Sequence, residues 1–343
     1  MVTIKDKKIL VLGGTGSIGS EIVKQLLQLE PNEVRVFARD ESKHQYLYDS
    51  LGKPEAFRSI IGDIRDRERL RAAMSEIDIV FNAAALKAVP YCERNPFEAV
   101  STNVIGTHNI VETALEKNIE RVIAISTDKA ADPTNTYGTT KLLSEKILFS
   151  ADYYKGSKRT VFSAVRLGNV LGARNSLLPV IRNQILNGHS ITVTDSNMTR
   201  FVMSVMEAVQ LIFNALNLSE GSEVFILKMH AVPIWDLIDI YVEELCKMHD
   251  IDLGKVIRQS IPPRPGEKFH EKLFSDYEGQ YTYENEDILM VLPSPDMLNK
   301  PFSQRSYDGF INVNDTREYD SQTAHRISRD EIKNLLITEK LIF

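Results

Sequence analysis

The stretch LVLGGTGSIGSEIV, residues 10–23, decides the fold of this chain. Its apolar run up to Leu12 is typical of a buried strand, and the helix predicted after it has its apolar residues on one face: Ile18, Ile22, Val23, Leu26 and Leu27. Gly13, Gly16 and Gly19 lie between the two. Glycines there permit a tight turn and close approach of the backbone to a pyrophosphate, which the positive end of the helix attracts. The stretch therefore predicts a dinucleotide-binding loop that includes Thr15, Ser17 and Ile18.

The pattern repeats along the first half of the chain. Short apolar runs at 33–39, 57–63, 78–86, 121–127 and 161–172 alternate with helical patterns at 65–77, 96–118 and 137–154. Strands that alternate with helices predict an α/β fold with a Rossmann-type doubly wound parallel sheet. We predict an NADP-binding domain over residues 1–170. Residues 171–343 are predicted to form mainly a smaller α/β substrate-binding part, interleaved with the core and ending in a polar tail.

Composition excludes several classes of protein. The chain has 343 residues, of which 43% are hydrophobic and 26% charged, as in ordinary globular proteins. Cys92 and Cys246 have no partner at metal-ligand spacing, which favours a reducing, cytoplasmic setting and no metal site. The net charge of −6 argues against nucleic acid, and no apolar run approaches a membrane span, so we expect neither partner.

Residues after the next strands fit the rest of a dinucleotide. An acidic residue at the end of the second strand binds the ribose diol of NAD, whereas an Arg accommodates the 2′-phosphate of NADP. Arg39 and Asp40 are adjacent here, and Arg39 comes first, so we favour NADP and keep NAD open. Asp63 and Ile64 are placed to flank the adenine, with a helix cap as the alternative role for Asp63. The small residues that would pass the cofactor are Ala83, Ala84 and Ala85.

A second stretch, ISTDKAADPTNTYGTTK at residues 125–141, predicts an acid–base site. Tyr137 and Lys141 are four residues apart and share one face of a helix. An ammonium near a phenol favours the phenolate, which can take a proton from a sugar hydroxyl. Thr127, at the end of the preceding strand, is placed to hydrogen-bond the reacting oxygen.

Asp128 and Lys129 follow Thr127 directly and are not needed for simple alcohol oxidation. An acid and a base beside a redox site indicate a second reaction. When C4 of a hexose is a ketone, its C5 proton is acidic, and loss of the C6 hydroxyl as water can follow. The alternative is an exposed ion pair on a loop, which contributes little.

Six motifs resemble those of one known family, in the order in which that family has them. They are GGTGSIGSEIV, AALKAVPYCERNPFEAVSTNVIGTHNI, STDKAADPTNTYGTTK, RLGNVLGARNSLLP, TDSNMTRFVMS and RPGEKFHE. They resemble extended short-chain dehydrogenases/reductases, whose first glycines are also three apart. More narrowly, the chain is similar to UDP-N-acetylglucosamine 4,6-dehydratases of polysaccharide biosynthesis, including the type that inverts C5. The resemblance extends to about residue 275.

The resemblance implies a role for each matching residue. Tyr137 would be the redox base and Lys141 its partner, which also binds the nicotinamide ribose. Asp128 would be the acid for loss of the C6 hydroxyl, Lys129 would take the C5 proton, and Lys87 would lie near cofactor and substrate. The substrate or its diphosphate would meet Asn169, Arg174, Arg200, Arg264 and Glu267. The family also implies a homo-oligomer.

Three residues differ from the pattern of this family. Ala88, Leu167 and Asn175 stand where the family often has His, Tyr and Gly, which bears on substrate identity and C5 stereochemistry.

Three other functions are alternatives to the dehydratase. A sugar-nucleotide 4-epimerase or reductase would keep Tyr137 and Lys141 without using Asp128 and Lys129. A dTDP-glucose-type 4,6-dehydratase is the second alternative. A non-catalytic NADP-binding regulator is the third, although such proteins often lose the Tyr–Lys pair.

Overall fold

The computed structural model describes residues 2–174, 176–188, 190–297, 305, 307–313 and 316–342, so Asn175 lies outside the described residues. The first half of the chain alternates strands and helices, as its periodicity predicts. Its elements are β1 (Lys8–Leu12), α1 (Ser17–Leu27), β2 (Glu33–Ala38), α2 (Glu41–Ser50), β3 (Phe57–Ile61), α3 (Arg67–Ala73), β4 (Ile79–Asn82), α4 (Val89–Arg94), α5 (Pro96–Ala99), a π-helical segment (Val100–Ile105), α6 (Gly106–Lys117), β5 (Arg121–Thr127), a 3₁₀ turn (Asp128–Ala130), α7 (Thr136–Tyr154) and β6 (Val161–Leu167).

The second half adds shorter strands and longer connections. Its elements are β7 (Asn169–Val170), α8 (Leu177–Leu186), β8 (Ile191–Val193), β9 (Thr199–Met203), α9 (Val205–Leu218), β10 (Val224–Leu227), β11 (His230–Pro233), α10 (Ile234–Met248), β12 (Arg258–Ser260), α11 (Asp276–Gly279), β13 (Thr282–Glu284), β14 (Ile288–Val291), β15 (Ile311–Asn312) and α12 (Arg329–Thr338). None of the helices in the described ranges has the length and apolar character needed to span a bilayer.

A central sheet organises the described part of the chain. Its strand order is β15-β13-β14-β10-β6-β5-β4-β1-β2-β3, and the strands from β10 to β3 are parallel. The antiparallel strands β14, β13 and β15 extend the β10 side. This confirms the predicted Rossmann-type fold. The strand order reverses between β1 and β4, and ligands of such sheets bind at that reversal, beyond the carboxyl ends of the strands.

The parallel strands are buried on both faces. In β1, Ile9 and Val11 pack into one core beneath α1 and α9, whereas Leu10 and Leu12 pack into another with α3, α6 and α7. Side chains that alternate between two covered faces explain why these strands are continuous apolar runs. A further core joins α8, α10 and α12 in the C-terminal part.

The helix predicted over 96–118 is interrupted by the π-helical segment. Hydroxyl groups of Thr107 and Ser144 both donate to the carbonyl oxygen of Asn103 at 2.6 Å. The Asn103 side chain accepts from the Leu86 amide at 2.9 Å and donates to Thr140 Oγ1 at 3.0 Å. The bonds to Leu86, Thr140 and Ser144 tie this segment to neighbouring elements at the point where the helical register changes.

Several element boundaries differ from the predictions. The apolar spacing of residues 202–218 predicts a helix. The structure instead assigns Val202 and Met203 to β9, and α9 starts only after Ser204 with a capping box. Helix α2 was not predicted because only His44 and Leu47 of its ten residues are buried. Ser328, with Glu331 three residues later, predicts a capping box, and the structure confirms it at the start of α12. The division of the chain at residue 170 stays a prediction; β10 and β14, which follow it, pair within the central sheet.

Candidate active site

The glycine loop connects β1 to α1 at the reversal of the sheet. Gly13 has φ +71°, and a Cβ there would lie 2.7 Å from the backbone of Ala83 and Ala84. A Cβ on Gly19 would lie 2.4 Å from the Gly13 carbonyl oxygen. Gly16 begins α1 without a side-chain cap, so the first amides of the helix face the cleft. A backbone that tolerates no side chain, next to an uncapped helix end, fits a dinucleotide pyrophosphate.

One end of the cleft contains the residues predicted to hold the adenosine half. It measures about 270 Å³, and its lining includes Gly13, Thr15, Gly16, Arg39, Asp40, Asp63, Ile64, Ala83, Ala84 and Ala85. Asp63 does not cap a helix; its carboxylate accepts from the Arg65 amide at 3.0 Å, and Asp66 caps α3 instead. That alternative role for Asp63 was therefore wrong.

Arg39 and Asp40 differ in how many contacts their side chains make with the rest of the protein. The Asp40 carboxylate accepts from the Lys43 amide at 3.1 Å, capping α2, and lies 3.0 Å from Lys43 Nζ. These contacts with Lys43 lower the pKa of Asp40. The Arg39 side chain is 66% exposed and lies 3.7 Å from Asp63. Arg39 is thus the more available of the two side chains to a ligand at this strand end.

The other end of the cleft is a pocket of about 330 Å³. It contains residues from both predicted motifs: Gly16, Ser17, Ile18, Gly19, Ala83, Ala85, Lys87, Thr127, Lys129 and Tyr137. The two ends share Gly16, Ala83 and Ala85, so they form one continuous cleft along the edge of the sheet. The structure therefore brings the glycine loop and the acid–base stretch together.

Thr127, Asp128 and Lys129 form a hydrogen-bonded group where β5 ends. Thr127 Oγ1 donates to Asp128 Oδ1 at 2.9 Å, and Lys129 Nζ lies 3.0 Å from the same oxygen. Lys129 Nζ also donates to Asn169 Oδ1 at 3.3 Å. The Asp128 side chain is fully buried and that of Lys129 is 20% exposed, so the alternative of an exposed ion pair is wrong.

Glu271 completes this group and was missed in the sequence. Its Oε1 lies 3.1 Å from Lys129 Nζ, and its side chain is 2% exposed. Burial lowers the pKa of Lys129, but the carboxylates of Asp128 and Glu271 outweigh burial and raise the pKa above its usual value. Lys129 is therefore an ammonium shared by two buried carboxylates. The signal was present in the motif RPGEKFHE, whose last residue is Glu271.

Helix α7 carries Tyr137 and Lys141 in its first turns. Asn135 caps it by accepting from the Gly138 amide at 2.8 Å, and Glu93 accepts from the Thr136 amide at 2.6 Å. Burial raises the pKa of Tyr137 to about 12, while the Lys129 ammonium and the Thr127 hydroxyl act in the opposite direction. An ammonium thus stabilises the phenolate as predicted, but it belongs to Lys129, and burial exceeds its effect.

Lys141 is buried deeply in α7. Its side chain is 3% exposed, and this burial lowers its pKa to about 8, with Glu145 acting against the shift. Glu145 in turn accepts from Arg166 at 2.7 Å and from Ser126. A lysine with such a pKa changes its charge near neutral pH, which suits a residue beside a proton-transfer site.

Lys87 and Arg174 lie over the glycine loop. The Arg174 amide donates to Ser17 Oγ at 3.0 Å, and its guanidinium donates to the Thr15 carbonyl. Lys87 Nζ donates to the Arg174 carbonyl at 3.4 Å. Partial burial, followed by the Arg174 charge, lowers the pKa of Lys87. Lys87 lines the pocket that contains Tyr137, and Arg174 lies against Thr15 and Ser17 of the loop. Contact of either residue with a phosphorylated ligand stays a prediction.

Arg200 forms hydrogen bonds with the protein backbone. Its guanidinium is 7% exposed and donates to the carbonyls of Thr199, Lys268 and Phe269 at 2.7–3.0 Å, with Glu267 Oε1 at 3.8 Å. These bonds fix the segment that leads to Glu271. Substrate contact by Arg200 stays a prediction.

Residues 264–271 dock on the acid–base stretch. Thr134 Oγ1 and Asn135 Nδ2 donate to the Gly266 carbonyl at 3.1 and 3.0 Å, and Lys268 Nζ donates to the Ala131 carbonyl at 2.6 Å. The Arg264 amide donates to Glu267 Oε2 at 2.9 Å, and the Arg264 residue is exposed. Substrate roles for Arg264 and Glu267 stay predictions.

Comparison with known proteins places the sequence in a family. Residues 9–293 match the family described as polysaccharide biosynthesis protein. The chain is 46% identical over 332 residues to the uncharacterized membrane protein MJ1061 of Methanocaldococcus jannaschii, covering 97% of this chain and 96% of that protein. It is 38% identical over 296 residues to an inverting UDP-N-acetylglucosamine 4,6-dehydratase of Campylobacter jejuni, covering 86% and 85%. It is 34% identical over 338 residues to a UDP-glucose 4-epimerase of Rickettsia rickettsii, covering 97% and 96%.

Solved structures agree with this placement. The crystal structure of Pen from Bacillus thuringiensis is 38% identical, covers both chains fully and superposes with a TM-score of 0.91. DesIV, a dTDP-glucose 4,6-dehydratase from Streptomyces venezuelae, is 21% identical over 76% of this chain and 86% of its own, with a TM-score of 0.70, and shares the fold. The resemblance stated from the motifs is confirmed. The chain belongs to the polysaccharide biosynthesis protein family and has the fold of the extended short-chain dehydrogenases/reductases.

Proposed function

We propose that this protein catalyses the NADP-dependent 4,6-dehydration of UDP-N-acetylglucosamine, with inversion at C5. The product would be a UDP-4-keto-6-deoxy-hexosamine for surface-glycan biosynthesis. The observation that carries the proposal is the Asp128–Lys129 pair, hydrogen-bonded at 3.0 Å, whose Lys129 lines the same pocket as Tyr137 while Asp128 is buried behind it. A redox step alone needs Tyr137 and a partner; it does not need a second acid and base.

The glycine loop, Arg39, Asp63 and Ile64 would hold the adenosine diphosphate half of the cofactor. Ala83–Ala85, Lys87 and Lys141 would lie along the nicotinamide half. When bound, the nicotinamide would supply reversible oxidation at the sugar, first at C4 and then, in reverse, at C6. We propose NADP because Arg39 is largely exposed while Asp40 caps α2 and pairs with Lys43.

Tyr137 would take the proton of the C4 hydroxyl. Its pKa of about 12 makes it a phenol at neutral pH, so the site must stabilise the phenolate. The Lys129 ammonium and the Thr127 hydroxyl already act in that direction. Lys141, with a pKa near 8, contributes a positive charge at and below neutral pH.

Asp128 and Lys129 would eliminate water from C5 and C6. An acid must be protonated and a base unprotonated, which is opposite to the resting charges of this pair. Transfer of one proton from Lys129 Nζ to Asp128 Oδ1, across their 3.0 Å contact, makes both groups competent together. Lys129 would then remove the C5 proton while Asp128 protonates the departing C6 hydroxyl. Return of a proton to the opposite face of C5 would give inversion.

The sugar nucleotide is proposed from the similarity to the Campylobacter enzyme, which is named for UDP-N-acetylglucosamine. Arg174 and Lys87, which are joined at the glycine loop, would meet its diphosphate, and Asn169, bonded to Lys129, would lie beside the reacting part. Arginine suits the task because its planar group matches phosphate oxygens.

A 4-epimerase is the second candidate, because Rickettsia relatives with that name align over 97% of the chain. It would use the same cleft with Tyr137 and would leave Asp128 and Lys129 without a chemical role. The two activities differ in the mass of their product, since dehydration removes one water and epimerisation removes nothing.

The test is to incubate purified protein with UDP-N-acetylglucosamine and cofactor, without added reductant. Mass spectrometry and NMR should show loss of one water and a 4-keto-6-deoxy sugar. A product of unchanged mass that differs only at C4 would establish the epimerase instead. Unchanged substrate, under conditions in which the cofactor binds, would contradict both activities for this sugar.

A further inference from the structure

Glu271 reaches Lys129 from a part of the chain that is remote in sequence. Its Oε1 lies 3.1 Å from Lys129 Nζ, and Asp128 Oδ1 lies 3.0 Å from the same nitrogen. Both carboxylates are buried, with side-chain exposures of 2% and 0%. One carboxylate is enough to pair with the Lys129 ammonium. Burial of a second one adds a further desolvation free energy, which suggests that the second carboxylate has a function.

One oxygen of the Glu271 carboxylate lacks a hydrogen bond within the described part of the chain. Its buried Oε2 has no hydrogen-bond partner among the described residues, and the Lys268 ammonium lies 3.9 Å away. Buried polar atoms in a stable core are nearly always hydrogen-bonded, and exceptions often serve a function. Glu271 thus retains an incompletely satisfied negative charge next to the proposed base.

The C-terminal tail fixes the position of Glu271. The Glu271 amide donates to Ser321 Oγ at 2.9 Å, and the Ser321 amide donates to the Glu271 carbonyl at 2.9 Å. Ser321 Oγ also contacts Thr199 Oγ1 at 2.8 Å. The backbone at Glu271 is therefore held independently of Lys129, so the carboxylate is presented to the ammonium by a rigid support.

We propose that Glu271 is a positioning residue for the elimination step: it holds Lys129 Nζ in place and keeps that amine strongly basic once Asp128 has taken its proton. The inference rests on the proposed dehydration. The charges that matter in the elimination step then belong to three residues, Asp128, Lys129 and Glu271, instead of the first two alone.

The proton balance follows from the resting charges. One proton passes from Lys129 Nζ to Asp128 Oδ1, which leaves a neutral amine beside the Glu271 carboxylate. The amine then bonds the C5 proton, the C5–H electron pair forms the C5–C6 double bond, and the C6–O bond breaks. The hydroxyl leaves as water with the proton of Asp128. The ammonium and both carboxylates are restored, so no co-reactant is needed.

The negative charge of Glu271 would stabilise the positive charge that develops on Lys129 during removal of the C5 proton. The Lys129 ammonium forms as the C5 proton is removed, and a fixed anion 3.1 Å away stabilises it. The other charged or titratable groups near this nitrogen are Asp128, Arg200, Lys268 and the Tyr137 phenol. Arg200 opposes the Lys129 charge. Loss of Glu271 leaves Asp128 as the one carboxylate at ion-pair distance from Lys129 among the described residues.

The test is Glu271→Gln, which keeps the shape and removes the charge. We expect dehydration to fall roughly tenfold or more, a part of the 10²–10⁴-fold that a positioned acid or base contributes. Deuterium uptake at C5 in D₂O should fall by the same factor, whereas reduced nicotinamide should still form in a single turnover. The limb of the pH–rate profile that reports Lys129 should move to lower pH, because its ammonium has lost a partner.

Asp276→Asn is the matched control, since Asp276 pairs with Lys272 at 2.8 Å on the same segment and is 87% exposed. It should leave rate and pH profile unchanged. If Glu271→Gln does not fold, Glu271→Asp carries the test: the charge stays, so the pH limb should stay while the rate falls.

An unchanged pH profile and unchanged C5 exchange in Glu271→Gln would refute the inference alone, provided that the wild type dehydrates its substrate. An unaltered rate in Glu271→Asp would refute it in the same way. If the wild type forms no dehydrated product, the proposed function fails, and the inference fails with it.

Discussion

Replacement of Gly138 by alanine should separate the two catalytic segments. Gly138 follows Tyr137 in α7, and an added Cβ would lie 2.1 Å from the Lys129 carbonyl oxygen and 3.0 Å from its carbon. Contacts below 3.0 Å are not tolerated, so the gap must open by about 0.9 Å. The displaced atoms belong to Lys129 on one side and to the turn that carries Tyr137 on the other.

This displacement sets the expected magnitude. A misplacement of about 1 Å between reacting groups costs on the order of a hundredfold in rate. Helix propensity acts in the opposite direction, because alanine is favoured over glycine inside a helix by roughly 1 kcal/mol. The variant should therefore remain folded and lose most of its dehydration activity.

The assay is the initial rate of dehydrated product, measured beside a thermal melt and cofactor binding. Ser150→Ala, at an exposed position later in α7, is the control for a small change in the same helix and should keep its activity. Wild-type turnover in Gly138→Ala would refute the reasoning, because it would show that the spacing of the two segments does not matter.

Three further predictions concern single residues. Lys129→Ala should lose dehydration yet keep cofactor binding, measured by the shift of the melting temperature with NADP; normal turnover would show that another group removes the C5 proton. Arg166→Met should lower the free energy of unfolding by about 3–5 kcal/mol, because it leaves the buried carboxylate of Glu145 and the partly buried one of Glu278, both 2.7 Å from Arg166, without their partner. Denaturant titration checks this, and Lys5→Ala at an exposed pair is the control. Lys141 has a folded pKa of about 8 and a usual value of 10.5, so the unfolded chain binds more protons between these pH values and stability rises with pH there. Lys141→Met should remove that rise and stabilise the protein at pH 7 by roughly 3 kcal/mol. If the free energies of unfolding of wild type and variant differ by the same amount from pH 7 to 10.5, burial of the Lys141 ammonium does not destabilise the protein.

The parts of the fold that were predicted depend on local patterns. The strand, glycine turn and helix of residues 8–27 follow from spacing alone, since period, turn and helix face all lie within one short window. The contents of the cleft were predicted for the same reason: parallel strands end at one edge, so the residues after β1, β4 and β5 must meet.

The parts that were missed depend on distant contacts. The sequence places Glu271 at the end of a shared motif, but its contact with Lys129 arises only when residues 264–271 dock on Thr134 and Asn135. Arg200 looked like a phosphate ligand because it is an arginine in a shared motif, but its surroundings are backbone carbonyls from a later segment. The π-helical segment likewise reflects contacts of Asn103 with Leu86 and Ser144 that no helical periodicity encodes.

We propose that this protein oxidises C4 of a UDP-N-acetylhexosamine, eliminates water and returns the same hydrogen to C6. The most direct test is NMR of the product formed from UDP-N-acetylglucosamine deuterated at C4, in ordinary water without added reductant. We expect a 4-keto sugar whose C6 methyl group carries the deuterium. Deuterium that remains on C4, in the substrate or in its C4 epimer, would contradict it.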